Sequence, residues 1–175
     1  MNHTKLSRLL LQSNNTALVG AIWAESTDGS IGNGDDLLWH LPEDMKYFSQ
    51  ITKANTVIMG RKTWDSLPEK FRPLPHRKNI VISNTVSELA GAKVFSSIEE
   101  AIKNIDTDEV WFIGGGQIYA ASLSFVSVIK VTEVKTDISG EVKAPKVPHD
   151  FTLVESSEWL ESEKGLTYRF LTYSK

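Results

Sequence analysis

Short β-rich runs alternate with amphipathic helical runs along the first two thirds of the chain. Runs rich in valine, isoleucine and aromatic residues predict strands, and apolar positions three or four apart predict helices. The helix at 98–105 opens with the capping box Ser97-Ile-Glu-Glu100. Such alternation is typical of a mostly parallel sheet with helices on both faces. The strands are predicted at 17–24, 56–59, 79–83, 93–95 and 109–113, and the helices at 42 to about 53, 61–67 and 98–105.

The pattern changes from residue 126 onward, where strands predominate. Three β-rich runs, at 126–134, 152–157 and 167–172, predict an antiparallel hairpin that completes the sheet edge. Residues 1–16 are polar and interrupted by serine and asparagine, so we expect a loosely ordered N-terminal extension. The predicted fold class is α/β, with a single three-layer domain over 17–175.

The composition narrows the function classes. A chain of 175 residues with 41% hydrophobic and 23% charged residues fits one globular domain with a proper core. The net charge of −3 gives no general attraction to nucleic acid or anionic lipid. The absence of cysteine rules out disulfides and thiolate metal sites. The apolar run at 9–11 is too short for a signal peptide or a membrane span. We therefore expect a cytoplasmic protein with no membrane, nucleic-acid or metal partner.

A carboxylate stands at the start of the helix predicted from residue 42. Pro42 suits a first helical turn, because its missing N–H would be unpaired there anyway. Asp44 and Phe48 are four residues apart and share a helix face, with Met45 and Ile51 flanking them. One interpretation is that Asp44 only complements the helix dipole. The other is that the acid and the aromatic ring face a ligand together.

Two junctions between a strand and a helix carry glycine. In Gly60-Arg-Lys-Thr-Trp64 a helix opens with two cations and a hydroxyl, an arrangement suited to phosphate; the alternative is a solvated basic turn. In Ile113-Gly-Gly-Gly-Gln-Ile-Tyr119 the glycines allow a backbone to approach a pyrophosphate closely. This second junction is not the Rossmann fingerprint, because Tyr119 stands three positions after Gly116.

A third junction, Phe71-Arg-Pro-Leu-Pro-His-Arg-Lys-Asn79, is stiffened by proline and leads into a strand. Its Arg77 could clamp a ligand carboxylate through two parallel hydrogen bonds. A solvated surface arginine is the alternative at this position.

The order of these motifs along the chain resembles dihydrofolate reductase. The sequence shows Trp39-x-Leu-Pro-x-Asp44, Gly60-Arg-x-Thr63-Trp64, Arg72-Pro-Leu-Pro-x-Arg77, Ile113-Gly-Gly-Gly-x-x-Tyr119 and Val131-Thr-Glu-Val134. The resemblance is to the bacterial form with a tryptophan in its first strand, here Ile22-Trp23-Ala24. It extends from about residue 18 to the C-terminus.

The resemblance implies reduction of dihydrofolate with NADPH as cofactor. It implies that Asp44 binds the 2-amino group and adjacent nitrogen of the pterin, with Thr132 as its hydrogen-bonding neighbour, and that Arg77 takes the α-carboxylate of the substrate. Asp44, Thr132 and Leu37 are the implied catalytic residues. The implied substrate-binding residues are Ile22, Trp23, Asp44, Met45, Phe48, Leu67, Leu74, Arg77, Ile113, Tyr119 and Thr132.

The resemblance also implies where the cofactor lies. Arg61, Lys62 and Thr63 would hold phosphates, Ser83 would lie near the adenosine end, and Tyr119 would flank the nicotinamide. Gly114 and Gly115 would be joined by a cis peptide bond. The full implied cofactor set is Trp23, Ala24, Ile31, Gly60, Arg61, Lys62, Thr63, Ser83, Asn84, Ile113, Gly114, Gly115, Gly116, Gln117, Ile118 and Tyr119.

The chain departs from the family pattern in three places. Leu38 stands where proline commonly precedes the tryptophan, after Asp35-Asp36, in a glycine-bearing loop that the resemblance makes a lid. The segment Gly140-Glu-Val-Lys-Ala-Pro145, whose counterpart often braces that lid, differs in its polar residues. His76 replaces a frequent glycine ahead of Arg77, which would restrict the turn.

Two other functions remain open at this point. A pyrimidine reductase of riboflavin synthesis shares the general fold and NADPH use, but its substrate gives no reason for pairing Asp44 with Arg77. A non-catalytic nucleotide- or pterin-binding module is the second. For dihydrofolate reduction we expect a monomer whose partners are small molecules, namely dihydrofolate and antifolate inhibitors.

Overall fold

The computed structural model describes residues 17–32 and 38–175. The predicted N-terminal extension and Leu37 lie outside the described residues. Every predicted strand and helix is present among the described residues, with ends that differ from the prediction by at most three residues. The strands are β1 (Leu18–Ser26), β2 (Ser30–Gly32), β3 (Thr56–Gly60), β4 (Lys78–Ile82), β5 (Lys93–Phe95), β6 (Glu109–Phe112), β7 (Val128–Lys135), β8 (Val142–Lys143), β9 (Thr152–Ser156), β10 (Leu160–Glu161) and β11 (Thr167–Ser174). The helices are α1 (Pro42–Thr52), α2 (Arg61–Ser66), α3 (Ile98–Ile102) and α4 (Gly116–Ser122), with a 3₁₀ turn at Glu69–Phe71.

A nine-stranded sheet organises the domain in the order β10-β11-β7-β1-β6-β3-β4-β5, with β9 also paired to β11. The pairs from β7 through β5 are parallel, whereas β11 is antiparallel to β7, β9 and β10. The α/β fold class, its mostly parallel sheet and its antiparallel C-terminal strands are confirmed. In the described part of the chain, no helix is both long and apolar enough to span a membrane.

The middle strands are buried on both sheet faces. Val57, Ile58 and Met59 on β3 have no exposed surface, as expected for an inner parallel strand covered by helices. One apolar cluster includes Ile58, and a separate cluster includes Val57 and Met59. The second of these clusters lies beside α1 and forms a wall of the site described below.

Two element ends differ from the sequence prediction for local reasons. The helix predicted to reach residue 105 ends at Ile102, where the Asn104 side chain donates to the Glu100 carbonyl at 2.8 Å. The strand predicted from residue 126 begins at Val128, because the Val126 amide still donates to the Ser122 carbonyl at the exit of α4. The two-stranded sheet of β2 and β8 was not predicted, since neither short run has a β-rich pattern.

Candidate active site

Asp44 and Thr132 meet across the interface between α1 and the sheet. The Thr132 hydroxyl donates to Asp44 Oδ1 at 2.6 Å, and Thr132 is 1% exposed. Burial raises the pKa of the Asp44 carboxyl, and the Thr132 hydrogen bond opposes part of that rise. The implied hydrogen-bonding pair is therefore present, with a carboxylate directed at the sheet instead of at solvent.

An apolar wall adjoins this carboxylate. Four of the implied substrate-binding residues pack in one cluster, around the buried side chains of Trp64 and its neighbours on β3 and β4. Met45 is outside that cluster and 53% exposed, so its contact with a ligand stays a prediction. The four clustered residues are Phe48, Leu67, Leu74 and Ile113.

Hydrogen bonds hold the Arg77 side chain beside the C-terminal end of α1. Its Nη1 donates to the Thr52 hydroxyl at 3.1 Å, and its Nε donates to the Pro75 carbonyl at 2.9 Å. The guanidinium carbon lies 5.7 Å from the centre of the Phe48 ring, within the range of a cation–π contact. Burial lowers the pKa of Arg77 from its usual value, but an arginine remains charged. Asp44 and Phe48 of α1 and the adjacent loop residue Arg77 thus lie along a single surface.

The loop that carries Arg77 is held by Asn79, a residue that no functional motif in the sequence includes as a candidate. The buried Asn79 side chain accepts from the Leu74 amide at 2.9 Å and donates to the Leu74 carbonyl at 3.0 Å. Within this loop, His76 adopts a positive φ of 61°, a conformation that favours glycine. The restriction of this turn by His76 stays a prediction, and His76 adopts the backbone conformation that a glycine takes most readily. A polar residue at the start of a buried strand is the signal that could have identified Asn79.

The two glycine junctions are in direct contact. The Gly60 amide donates to the Gly114 carbonyl at 2.8 Å. A Cβ atom on Gly115 would lie 3.6 Å from the Thr63 hydroxyl oxygen. The peptide bond between Gly114 and Gly115 is cis, which confirms that expectation. Residues implied for one cofactor thus come from two segments that the sheet order brings together.

Tyr119 closes the inner side of this glycine turn. A Cβ atom on Gly114, whose φ is +116°, would lie 3.2 Å from the Tyr119 ring. The ring of Tyr119 packs 5.1 Å from that of Trp23. The Trp23 indole nitrogen on the other side of this pair is buried.

The basic residues of the first junction lie at its exposed side. Arg61 Nε donates to both carboxylate oxygens of Asp65, at 2.9 and 3.1 Å. Lys62 is exposed. Asp65 is not part of a candidate motif in the sequence, although its spacing of four residues from Arg61 is the usual spacing of a helical ion pair.

The residue implied for the adenosine end of the cofactor lies directly after β4. There the Ser83 hydroxyl accepts from the Thr85 amide at 3.2 Å.

A polar cluster joins the turn before β2 to strand β8. The Asp28 carboxylate accepts from the Ser30 hydroxyl at 2.6 Å, the Ser139 hydroxyl at 2.6 Å and Lys143 Nζ at 2.8 Å. The Ser30 hydroxyl also accepts from the Gly140 amide at 3.0 Å. This cluster, which we call the Asp28 clamp, involves the segment at 140–145 where the sequence departs from the family pattern.

Comparison with known proteins gives one consistent assignment. The family model for dihydrofolate reductase matches residues 18–175. Dihydrofolate reductase of Mycobacterium tuberculosis is 44% identical over 162 residues, which span 90% of this chain and 98% of that protein. The Mycobacterium leprae enzyme is 47% identical over 163 residues, with the same coverage. The structure of dihydrofolate reductase from Enterococcus faecalis complexed with NADP(H) and RAB-propyl has a TM-score of 0.81 and 28% identity, covering 90% of this chain and 95% of its own. The chain belongs to the dihydrofolate reductase family.

Proposed function

We propose that this protein reduces 7,8-dihydrofolate to 5,6,7,8-tetrahydrofolate with NADPH as the hydride donor. The observation that carries the proposal is the Asp44 carboxylate, hydrogen-bonded to Thr132 at 2.6 Å beside an apolar wall. A pterin presents an amino group and a ring nitrogen on one edge and flat apolar faces. A carboxylate next to apolar side chains is complementary to both features.

The substrate would lie along α1. Asp44 accepts hydrogen bonds from the 2-amino group and the adjacent ring nitrogen, while Phe48 and Leu74 contact the rings. Arg77 binds the α-carboxylate at the other end. Support comes from the tethering of Arg77 by Thr52 and Pro75, because a guanidinium that is already oriented loses less freedom when it binds.

The cofactor would lie across the two glycine junctions. The residues fit such a ligand, because neither Gly115 nor Gly116 carries a side chain. A Cβ atom on Gly115 would lie beside Thr63, and one on Gly116 would lie beside Val142. Either atom would hinder the approach of a pyrophosphate to the backbone. Arg61, Lys62 and Thr63 would hold phosphates, and Tyr119 would flank the nicotinamide. When bound, NADPH supplies the hydride.

The chain contributes orientation and charge to the reaction. Reduction requires a hydride at the imine carbon and a proton at the neighbouring nitrogen, so positive character develops in the pterin. The Asp44 carboxylate stabilises that charge more strongly in a poorly solvated site than it would in water. Since Asp44 binds the opposite edge of the ring, a water molecule is the immediate proton donor in this proposal.

The test follows NADPH oxidation after dihydrofolate is added, for the wild type and Asp44→Asn side by side. Asp150→Asn is the matched control, because Asp150 is an exposed carboxylate whose nearest cation is Lys175, 3.7 Å away. We expect turnover by the wild type and the control, and its collapse in Asp44→Asn. Turnover that does not depend on Asp44 would overturn the role assigned to that carboxylate.

The other two functions give different outcomes in the same assay. Tight NADPH binding without turnover of either substrate class would favour a binding module. Oxidation of NADPH on addition of a pyrimidine ribose phosphate, but not of dihydrofolate, would favour the pyrimidine reductase.

A further inference from the structure

The first turn of α1 carries two acids that point to different partners. Asp44 bonds to Thr132 on the sheet. Glu43 instead reaches the turn between β10 and β11, where its Oε2 accepts from the Ser162 hydroxyl at 2.8 Å and its Oε1 accepts from the Glu163 amide at 2.9 Å. The Glu43 contacts join positions 119 and 120 residues apart, so they are tertiary contacts and not local helix capping.

The turn that receives Glu43 is well ordered by its own hydrogen bonds. The Ser162 amide donates to the Leu166 carbonyl at 2.7 Å, and the Gly165 amide donates to the Ser162 carbonyl at 2.9 Å. The Ser162 hydroxyl also accepts from the Lys164 amide at 3.2 Å. Ser162 is 5% exposed. Glu43 is therefore anchored to a fixed point and not to a loose surface loop.

The turn that binds Glu43 leads directly into the strand that pairs with the partner of Asp44. Strand β11 continues from the turn and pairs with β7, with Phe170 in register with Thr132. Tyr47 of α1 stacks on Phe170, with ring centres 4.0 Å apart. Helix α1 thus contacts β7 through Asp44 and β11 through Tyr47. Glu43 contacts the turn that leads into β11.

The helix has no side-chain cap of its own at this end. The residue at the N-cap is Leu41, which makes no side-chain hydrogen bond to the first turn. Helices usually rely on Ser, Thr, Asp or Asn at that position. The first turn of α1 is therefore held to the rest of the protein by tertiary contacts, of which the two hydrogen bonds of Glu43 are nearest to its N-terminus.

We propose that Glu43 is a positioning residue that holds the first turn of α1 so that Asp44 faces Thr132 and the pterin site. This inference rests on the proposed function, because it assigns Glu43 to the binding of dihydrofolate. Glu43 acts through Asp44 and does not touch the substrate. It therefore affects dihydrofolate binding and leaves cofactor binding alone.

The test compares Glu43→Ala, Glu43→Gln and Ser162→Ala. Glutamine removes the same charge as alanine but keeps an oxygen for the Glu163 amide and an N–H group that can donate to the Ser162 hydroxyl. Glu163→Ala is a further control, since it removes a nearby charge and keeps the main-chain N–H that bonds to Glu43. The measurements are kcat, KM for dihydrofolate, Kd for NADPH and the thermal unfolding midpoint.

We expect Glu43→Ala to raise KM for dihydrofolate about tenfold, which corresponds to about 1.4 kcal/mol, with a smaller change in kcat. Ser162→Ala removes one of two donors and gives a smaller rise in the same direction, which keeps the inference testable if Glu43→Ala fails to fold. Glu43→Gln and Glu163→Ala stay within about twofold of the wild type, because glutamine and a main-chain N–H preserve the anchoring geometry. NADPH affinity is unchanged in all four variants.

A second readout does not depend on turnover. The Asp44 carboxyl is titrated by carbon-13 NMR, and in Glu43→Ala its pKa falls toward the ordinary value as water reaches it, whereas Glu43→Gln shifts it much less. Nearby Tyr47, Tyr119 and Tyr168 stay protonated in that range, because burial and the charge of Asp44 raise their pKa values. His40 is exposed, and its charge contributes to lowering the pKa of Glu43.

Three results would overturn the inference. Glu43→Ala could keep the wild-type KM and Asp44 pKa. Alanine and glutamine at position 43 could give equal losses, which would reduce the role of Glu43 to its charge. NADPH affinity could fall in step with dihydrofolate affinity, which would indicate general damage. Absence of turnover in the wild type would instead overturn the proposed function, and the NMR titration would still decide the role of Glu43.

Discussion

The Tyr119 hydroxyl donates a hydrogen bond to the Ile22 carbonyl at 2.8 Å, across 97 residues of sequence. Tyr119 lies one turn into α4, directly after the glycine junction, and Ile22 lies in β1 at the middle of the sheet. This bond joins the proposed cofactor-binding turn to the strand proposed to line the pterin pocket. Burial of Tyr119 strongly raises the pKa of its hydroxyl, which keeps it protonated as the donor.

Tyr119→Phe is expected to lower the free energy of unfolding by about 1–3 kcal/mol, because it leaves the buried Ile22 carbonyl without its donor. We also expect weaker NADPH binding, since the ring that packs against Gly114 loses its anchor. Urea unfolding and a fluorescence titration with NADPH measure the two effects. Tyr173→Phe, at a half-buried tyrosine on β11, is the control. Equal unfolding curves for wild type and Tyr119→Phe would contradict the expectation.

Asp44→Asn is expected to lower kcat/KM for dihydrofolate roughly ten- to hundredfold, as removal of a charged hydrogen-bonding partner does. The same substitution is expected to make the folded protein more stable at pH 7. Burial raises the Asp44 pKa above the ordinary value of 3.8. The folded state therefore binds this proton more tightly than the unfolded state, and the ionised carboxylate opposes folding at any pH above both values.

The stability difference between Asp44→Asn and wild type should thus be present at neutral pH and disappear as the pH falls below 3.8. Asparagine still offers an oxygen to the Thr132 hydroxyl, so the packing is preserved. Thermal unfolding at several pH values checks the sign. A mutant that is less stable than wild type at pH 7 would show that the carboxylate is better solvated than its burial indicates.

Arg61→Ala is expected to erode discrimination between NADPH and NADH, because Arg61 is proposed to contact the phosphate that distinguishes the two cofactors. Its guanidinium is oriented by Asp65 through Nε, which leaves the terminal nitrogens for a phosphate. The measurement is kcat/KM for each cofactor at fixed dihydrofolate. Asp65→Asn, which frees the same side chain without removing it, is the matched variant and should retain most of the discrimination. An unchanged cofactor ratio in Arg61→Ala would remove this assignment.

Lys143→Met is expected to weaken NADPH binding roughly two- to fivefold, which corresponds to the free energy that an exposed ion pair contributes. Lys143 and Asp28 form such a pair, with side chains 48% and 45% exposed. The pair fixes β8, and a Cβ atom on Gly116 would lie only 3.0 Å from Val142 of that strand. Loss of the Lys143–Asp28 ion pair therefore lets β8 move away from the side of the glycine turn against which it packs.

An NADPH titration of Lys143→Met measures this effect, with Lys146→Met as the control at an exposed lysine nearby. Hydrogen bonds to Lys143 and the serines hold the pKa of Asp28 well below its usual range. The contribution of Asp28 to stability is therefore present at neutral pH, and it decreases progressively as the pH falls below the ordinary value of 3.8. Equal NADPH affinity in Lys143→Met and Lys146→Met would show that the clamp has no influence on the cofactor site.

The sequence determined the elements and the chemistry that each one carries. Hydrophobic periodicity located most of the strands and helices, because it reflects which side of each element is buried. The positions of Asp44, Arg77 and the glycine junctions followed from local motifs, and their order along the chain was enough to indicate the family.

Only the tertiary structure decided which of these groups meet. Thr132 lies 88 residues from Asp44, and Lys143 lies 115 residues from Asp28. No local pattern marks Glu43 as the partner of Ser162, or Asn79 as the residue that holds the loop of Arg77. Such contacts depend on the order in which strands distant in the chain lie side by side in the sheet, with β7 between β1 and β11, and hydrophobic periodicity carries no information about that order.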